Sequence, residues 1–185
     1  MSPDLSRRPA LRIIDAKGKY VLPGAIDCHA HPVYQDKMDD FSICAAFGGV
    51  TTIMAFVGNF KNWGFAGYTP DIIRQFIRES EAISYLDFSV HAAYQGTDDP
   101  EKSIPDIIKL GVTSFKMFMS HRRRGRMMPD EKMIRVMEMA ASLGGLAMVH
   151  AENGCCNDYL LDKFMGEGKK APEFFLKSQP NISEA

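Results

Sequence analysis

Leu22-Pro23-Gly24-Ala25-Ile26-Asp27-Cys28-His29-Ala30-His31 reads as a turn followed by a strand that ends in two histidines. Leu-Pro-Gly punctuates the chain, and the apolar run behind it has strand length. On extended backbone, side chains two apart point the same way, so the imidazoles of His29 and His31 share a face. Two neutral imidazoles held side by side form a clamp for a divalent metal, and a strand end supplies the rigidity. H-x-H spacing also arises by chance, so the pair alone leaves an ordinary non-ligand role open.

Outward from this stretch the same unit recurs. Apolar runs at residues 25–31, 50–56, 86–93, 112–119 and 146–151 each precede a helix-like segment. That order is the mark of parallel strands joined by helical crossovers. Thr69-Pro70 reads as an N-cap followed by proline in the first turn, with Ile72, Ile73, Phe76 and Ile77 at helical spacing behind it. Pro129-Asp130-Glu131 opens another helix. Its apolar face is Met133, Val136, Met137 and Ala140, and Gly144-Gly145 stops it. Pro105 reads as the start of a short helix ending at Gly111. About five such units make an α/β fold, a partial (β/α)8 TIM-like barrel, because a closed barrel takes roughly 250 residues. Residues 23–185 are expected to form this incomplete barrel, with Lys169 to Ala185 as a connecting segment. Before it, Leu11–Asp15 and Gly18–Val21 read as two short strands about a glycine turn.

Composition narrows the partners. Lys and Arg number 22 against 23 Asp and Glu, so a formal charge of −1 gives no electrostatic case for nucleic acid or an anionic membrane. The basic knot Arg122-Arg123-Arg124-Gly125-Arg126 reads as a solvated loop between two elements. Neither a signal-peptide core nor a membrane span is visible, and a cytoplasmic location is expected. Cys28, Cys44, Cys155 and Cys156 are too unevenly placed for a disulfide framework and read as buried thiols.

Function in a parallel barrel collects at the C-terminal ends of strands. His29 and His31 lie there, as does His150 at the end of Leu146–Ala151. Lys116 sits inside Val112-Thr113-Ser114-Phe115-Lys116-Met117-Phe118-Met119, a run so apolar that a free ammonium is costly to bury. One reading lets the side chain snorkel to the rim or pair with a carboxylate. The other starts from a depressed pKa: a neutral amine adds carbon dioxide, and the resulting carbamate can bridge two divalent ions. His91, mid-strand in Phe88–Ala92, reads as a packing residue.

LPGAIDCHAH, AAFGGVTTI, GVTSFKMFM and MVHAENG, in this order and spacing, resemble the cyclic-amidohydrolase family, most closely the hydantoinases and dihydropyrimidinases. The resemblance runs from about Ile13 to the C-terminus. It implies a β/α barrel beside a small β-sandwich, which makes residues 1–22 a tail and sandwich remnant. It further implies two divalent metal ions, taken as zinc, at the strand mouths. His29 and His31 match ligands of the more buried ion, Lys116 the N6-carboxylated bridge, and His150 a ligand of the second. The implied reaction opens a small cyclic amide or imide to an N-carbamoyl amino acid, through a hydroxide shared by the metals. A further histidine ligand and a proton-shuttling aspartate, which the family draws from later strands, have no match in this sequence. The chain is therefore expected to be a truncated half, inactive alone, from a parent that assembles as a homotetramer.

The sequence also departs from that pattern. His121 stands five positions after the lysine, where these enzymes usually carry a tyrosine that hydrogen-bonds substrate and the developing oxyanion. Histidine can donate the same bond from a shorter side chain, which leaves both an altered substrate choice and a weakened activity open. Ala55 replaces a frequent acidic residue, and Val33 stands where dihydroorotases carry an arginine that holds an acidic ring. The alternative reading is a non-catalytic dihydropyrimidinase-like scaffold, similar to the neuronal response-mediator proteins. Such relatives have generally lost the ligands that His29, His31, Lys116 and His150 preserve.

Overall fold

The computed structural model describes residues 9–34 and 36–184. Five strands, β1 (Ala25–Ala30), β2 (Val50–Gly58), β3 (Asp87–Ala93), β4 (Ser114–Phe118) and β5 (Leu146–His150), pair in parallel in the order of the chain. Helices α1 (Met38–Phe47), α2 (Thr69–Glu81), α3 (Pro100–Lys109) and α4 (Asp130–Ser142) are the crossovers between successive strands. Two more, α5 (Gly154–Gly166) and α6 (Pro172–Lys177), follow the last strand. The sheet curls into half of a β/α barrel, as the alternation of apolar runs and helices predicts.

Burial explains why the central strands β2 to β4 were readable. Every residue of β4 is buried, so it lacks the polar alternation of a half-exposed strand. Phe115 and Met117 enter the core against the helices, together with Ile53, Val57, Ile73, Ile104, Ile107 and Val136. Lys116 and Phe118, one position out of phase, face the inside of the curl. His91 shows how tight that curl is. Its Nε2–H donates to the Cys28 carbonyl oxygen at 3.2 Å, across the intervening β2, while Nδ1 accepts from Ser114 Oγ at 2.5 Å. A single neutral imidazole thus ties β3 to β1 and β4. Burial lowers its pKa, partly countered by the bond to Cys28.

Several local expectations are corrected. No strand forms over residues 9–24; Leu11–Asp15 and Gly18–Val21 are irregular, with Ile13 at 86% exposure. A strand needs a partner for its backbone groups, and none of the described residues supplies one. Residues 1–8 of the expected sandwich remnant lie outside the described residues. Pro100 opens α3, and Pro105 sits inside it. Proline is best tolerated in the first turn, and Pro105, the sixth residue, leaves the Glu101 carbonyl without its usual helical donor. Thr69 is the first residue of α2 rather than a side-chain cap; the Tyr68 carbonyl receives the Asp71 and Ile72 amides instead. Met137 is exposed, while Met133, Val136 and Ala140 are buried as expected. Cys28, Cys44 and Cys155 are exposed and Cys156 is half-buried, and all four are free thiols. Among the described residues no helix is long and apolar enough to cross a membrane.

Candidate metal centre

Strand ends bring His29, His31, Lys116, His121 and His150 into one cleft of about 170 Å³, with Tyr34, Phe56, Phe60, Phe118 and Arg126 among its walls. All five sequence-derived candidates are therefore neighbours, although 121 positions separate the first from the last. The arrangement is two pairs about a central amine. His29 and His31 lie 5.2 Å apart, centroid to centroid, against Phe56; His121 and His150 lie 5.2 Å apart beside Phe118. Lys116 Nζ stands between the two sides, 5.9 Å from the Phe56 ring and 5.7 Å from that of Phe118.

Local backbone sets each side chain. In β1 the pairing steps from Asp27↔Ile53 to Ala30↔Ala55, three residues against two. That bulge at Cys28 and His29 turns the strand end, a device that re-aims side chains beside sites. His31 then stacks between Tyr34, at 4.8 Å and 7° between planes, and Phe56. His121 is the one non-glycine residue with positive φ among the described residues, at φ 60° and ψ 37°. Its carbonyl receives the Arg124 and Arg126 amides, so the left-handed turn delivers the ring to the cleft and folds the arginine loop behind it.

Burial and like charges make His31 and His121 poor bases. Burial first, then the charges of His29, Arg126 and Lys116, push His31 down to about 4, against a pull from Asp27. His121 is lowered by burial, then by His150, Arg126 and Arg124, with Glu152 opposing. Burial alone lowers Lys116, which is 8% exposed. No described carboxylate pairs with this lysine, which removes the reading of a side chain held by an ion pair.

Neutral imidazoles offer lone pairs, and the hydrogen bonds show which are unspent. His31 Nδ1 is buried with no partner. His150 Nε2 donates to Glu152 Oε2 at 3.1 Å, which leaves its Nδ1 for a cation. Glu152 is a residue the sequence reading passed over, although it lies in the quoted HAEN; a carboxylate two positions after a ligand-type histidine was the available signal. Among the described residues, no three His, Cys, Asp or Glu side chains form a cage for a metal. No carboxylate lines the cleft itself to offset two divalent cations beside the Lys116 and Arg126 charges, Glu152 lying behind His150. A carboxylate carried by Lys116, which stands between the two histidine pairs, would supply that anion.

Similarity to known proteins follows the same lines. The chain is 36% identical over 185 residues to the D-hydantoinase of Ralstonia pickettii, covering 96% of this chain and 39% of that protein. It is 31% identical over 191 residues to the dihydropyrimidinase of Rattus norvegicus, covering 98% of the chain and 36% of that protein. Among solved structures, the L-hydantoinase from Arthrobacter aurescens superposes with a TM-score of 0.87 at 27% identity, over 99% of this chain and 41% of that one. The dihydropyrimidinase from Brevibacillus agri gives 0.85 at 29% identity, over 98% and 40%. No family model matches the chain. The chain spans about two-fifths of the length of these relatives. Sequence and fold together place it in the hydantoinase-type cyclic amidohydrolase family.

Proposed function

We propose that this chain carries the ligand side of a binuclear centre that opens cyclic amides of hydantoin or dihydropyrimidine type to N-carbamoyl amino acids. His29 and His31 would hold one divalent cation and His150 the second, with Lys116, once carboxylated, as the ligand between the two pairs. The observation that carries this reading is the convergence of those four side chains on one cleft around an amine without a counter-charge. When bound, the cations, taken as zinc, supply an activated water and polarise the ring carbonyl. Aromatic walls from Tyr34, Phe56 and Phe118 pack against the imidazoles and orient them. His121 donates a ring N–H to the carbonyl oxygen as charge develops there, from the position where the family resemblance leads one to expect a tyrosine. The ring C–N bond breaks, water oxygen joins the carbonyl carbon, and the ring nitrogen takes a proton. None of the cleft residues is assigned as the carrier of that proton.

Zinc titration with and without bicarbonate, read by calorimetry and metal analysis, tests the reading. Tight zinc binding that needs bicarbonate and is lost in Lys116→Met supports it; a protein that keeps no zinc is the scaffold outcome. Ring opening of hydantoin or dihydrouracil by the 185-residue chain alone is expected to be absent, since the cleft is walled on one side by an open half-barrel.

A further inference from the structure

Arg126 was read as part of a solvated basic knot, and the structure divides that knot in two. Arg122 and Arg123 turn outward to Asp158, with Arg123 reaching Asp162 at 2.5 Å. Arg126 turns inward and is half-buried. Its guanidinium lies over the rings of Phe60, Trp63 and Phe118 at 5.7, 5.8 and 5.6 Å, and no described carboxylate pairs with it. Three aromatic faces hold the cation in place and leave its forked donors unspent.

The same side chain borders a second cleft of about 700 Å³, whose walls include Lys61, Arg124, Asn59, Gln95 and Trp63. Lys61 and Arg124 have no ion pair among the described residues, and no carboxylate lines this cleft. Asp98 lies beneath, bonded to Asn59 Nδ2 and the Gln95 amide. Gln95 Nε2 is a buried donor without a partner. Phe60 and Arg126 are common to both clefts, so the histidine cleft opens onto a basic one across a single guanidinium.

We propose that the substrate is a cyclic amide or imide whose ring substituent ends in a carboxylate, and that Arg126 seats this carboxylate while the ring occupies the histidine cleft. This rests on the ring-opening reading above and narrows its substrate class. Val33 stands where the resemblance places an arginine for acidic rings, but here the cation arrives from a different loop. Guanidinium and carboxylate match as a bidentate pair, and the neighbouring Lys61 and Arg124 raise the local anion concentration.

Calorimetric titration of the 185-residue chain with hydantoin-5-acetate, 5-methylhydantoin and ring-free succinate tests this. Hydantoin-5-acetate is expected to bind at least about tenfold more tightly than 5-methylhydantoin. Arg126→Gln is expected to collapse that ratio to within about twofold, and Arg126→Lys to retain part of it. Circular dichroism checks each variant. Should Arg126→Gln not fold, raising salt on the parent chain must weaken the carboxylated ligand selectively. Equal affinities for the two rings, or a preference that survives Arg126→Gln, overturn the inference and leave the ring-opening reading standing. Failure of both rings to bind, whatever succinate does, overturns the two together.

Discussion

Replacing Lys116 by methionine should make the metal-free chain more stable. The side chain is 8% exposed in a strand whose every residue is buried, and no described carboxylate answers its charge. Holding such an ammonium away from water costs several kcal/mol at the limit, and partial deprotonation caps the cost, so about 1–3 kcal/mol is recoverable by an apolar chain of similar length. With a urea slope of about 2 kcal/mol per molar, the unfolding midpoint should rise by roughly 0.5–1.5 M. Equilibrium urea denaturation in chelator, followed by circular dichroism, measures this directly. Zinc with bicarbonate should then reverse the ranking. At a hundredfold excess over its dissociation constant a ligand adds about 2.7 kcal/mol to the protein that binds it, and Lys116→Met should gain none of this. A midpoint that falls in the metal-free variant would show that the amine already has a stabilising partner, and the case for a carboxylated bridge would go with it.

Other consequences are open to the same assay. His91→Phe removes two hydrogen bonds that cross the sheet and strands the Ser114 hydroxyl and Cys28 carbonyl, so a loss of about 2–4 kcal/mol in urea unfolding is expected. Gly58→Ala would drive a Cβ into the Ala93 carbonyl oxygen; separating β2 from β3 there should cost more than about 3 kcal/mol, or yield insoluble protein. His31, held near 4 against an ordinary 6.5, stays neutral in the fold while the unfolded chain protonates. Metal-free stability should therefore be full above pH 6.5 and decline as pH falls toward about 4. The whole shift corresponds to about 3 kcal/mol, roughly halved by solvent screening, and His31→Phe should flatten this part of the profile.

The strands were legible because buried parallel strands are written as unbroken apolar runs, and Ser114–Phe118 is such a run with one lysine inside it. Ile13 and Ile14 carry a strand-like pattern as well, but pattern does not supply a neighbour, and they have no strand partner among the described residues. Pro105 misled because proline marks helix starts more often than interiors. The four nitrogen donors could be found by their places at strand ends. Arg126 could not, since a run of arginines does not disclose which member turns inward; that depends on the left-handed turn at His121. Phe56 was invisible for a related reason. Its ring packs on His29, His31 and His91 because β2 lies between β1 and β3, a fact of sheet order rather than of local sequence.

Strand order that copies chain order has a bearing on how the molecule is made. As the polypeptide leaves the ribosome, each new strand of this sheet meets an edge that has already emerged. Assembly can thus advance in the direction of synthesis, one crossover at a time. Of the five candidate side chains in the cleft, His150 on β5 is the last to arrive, beside His121.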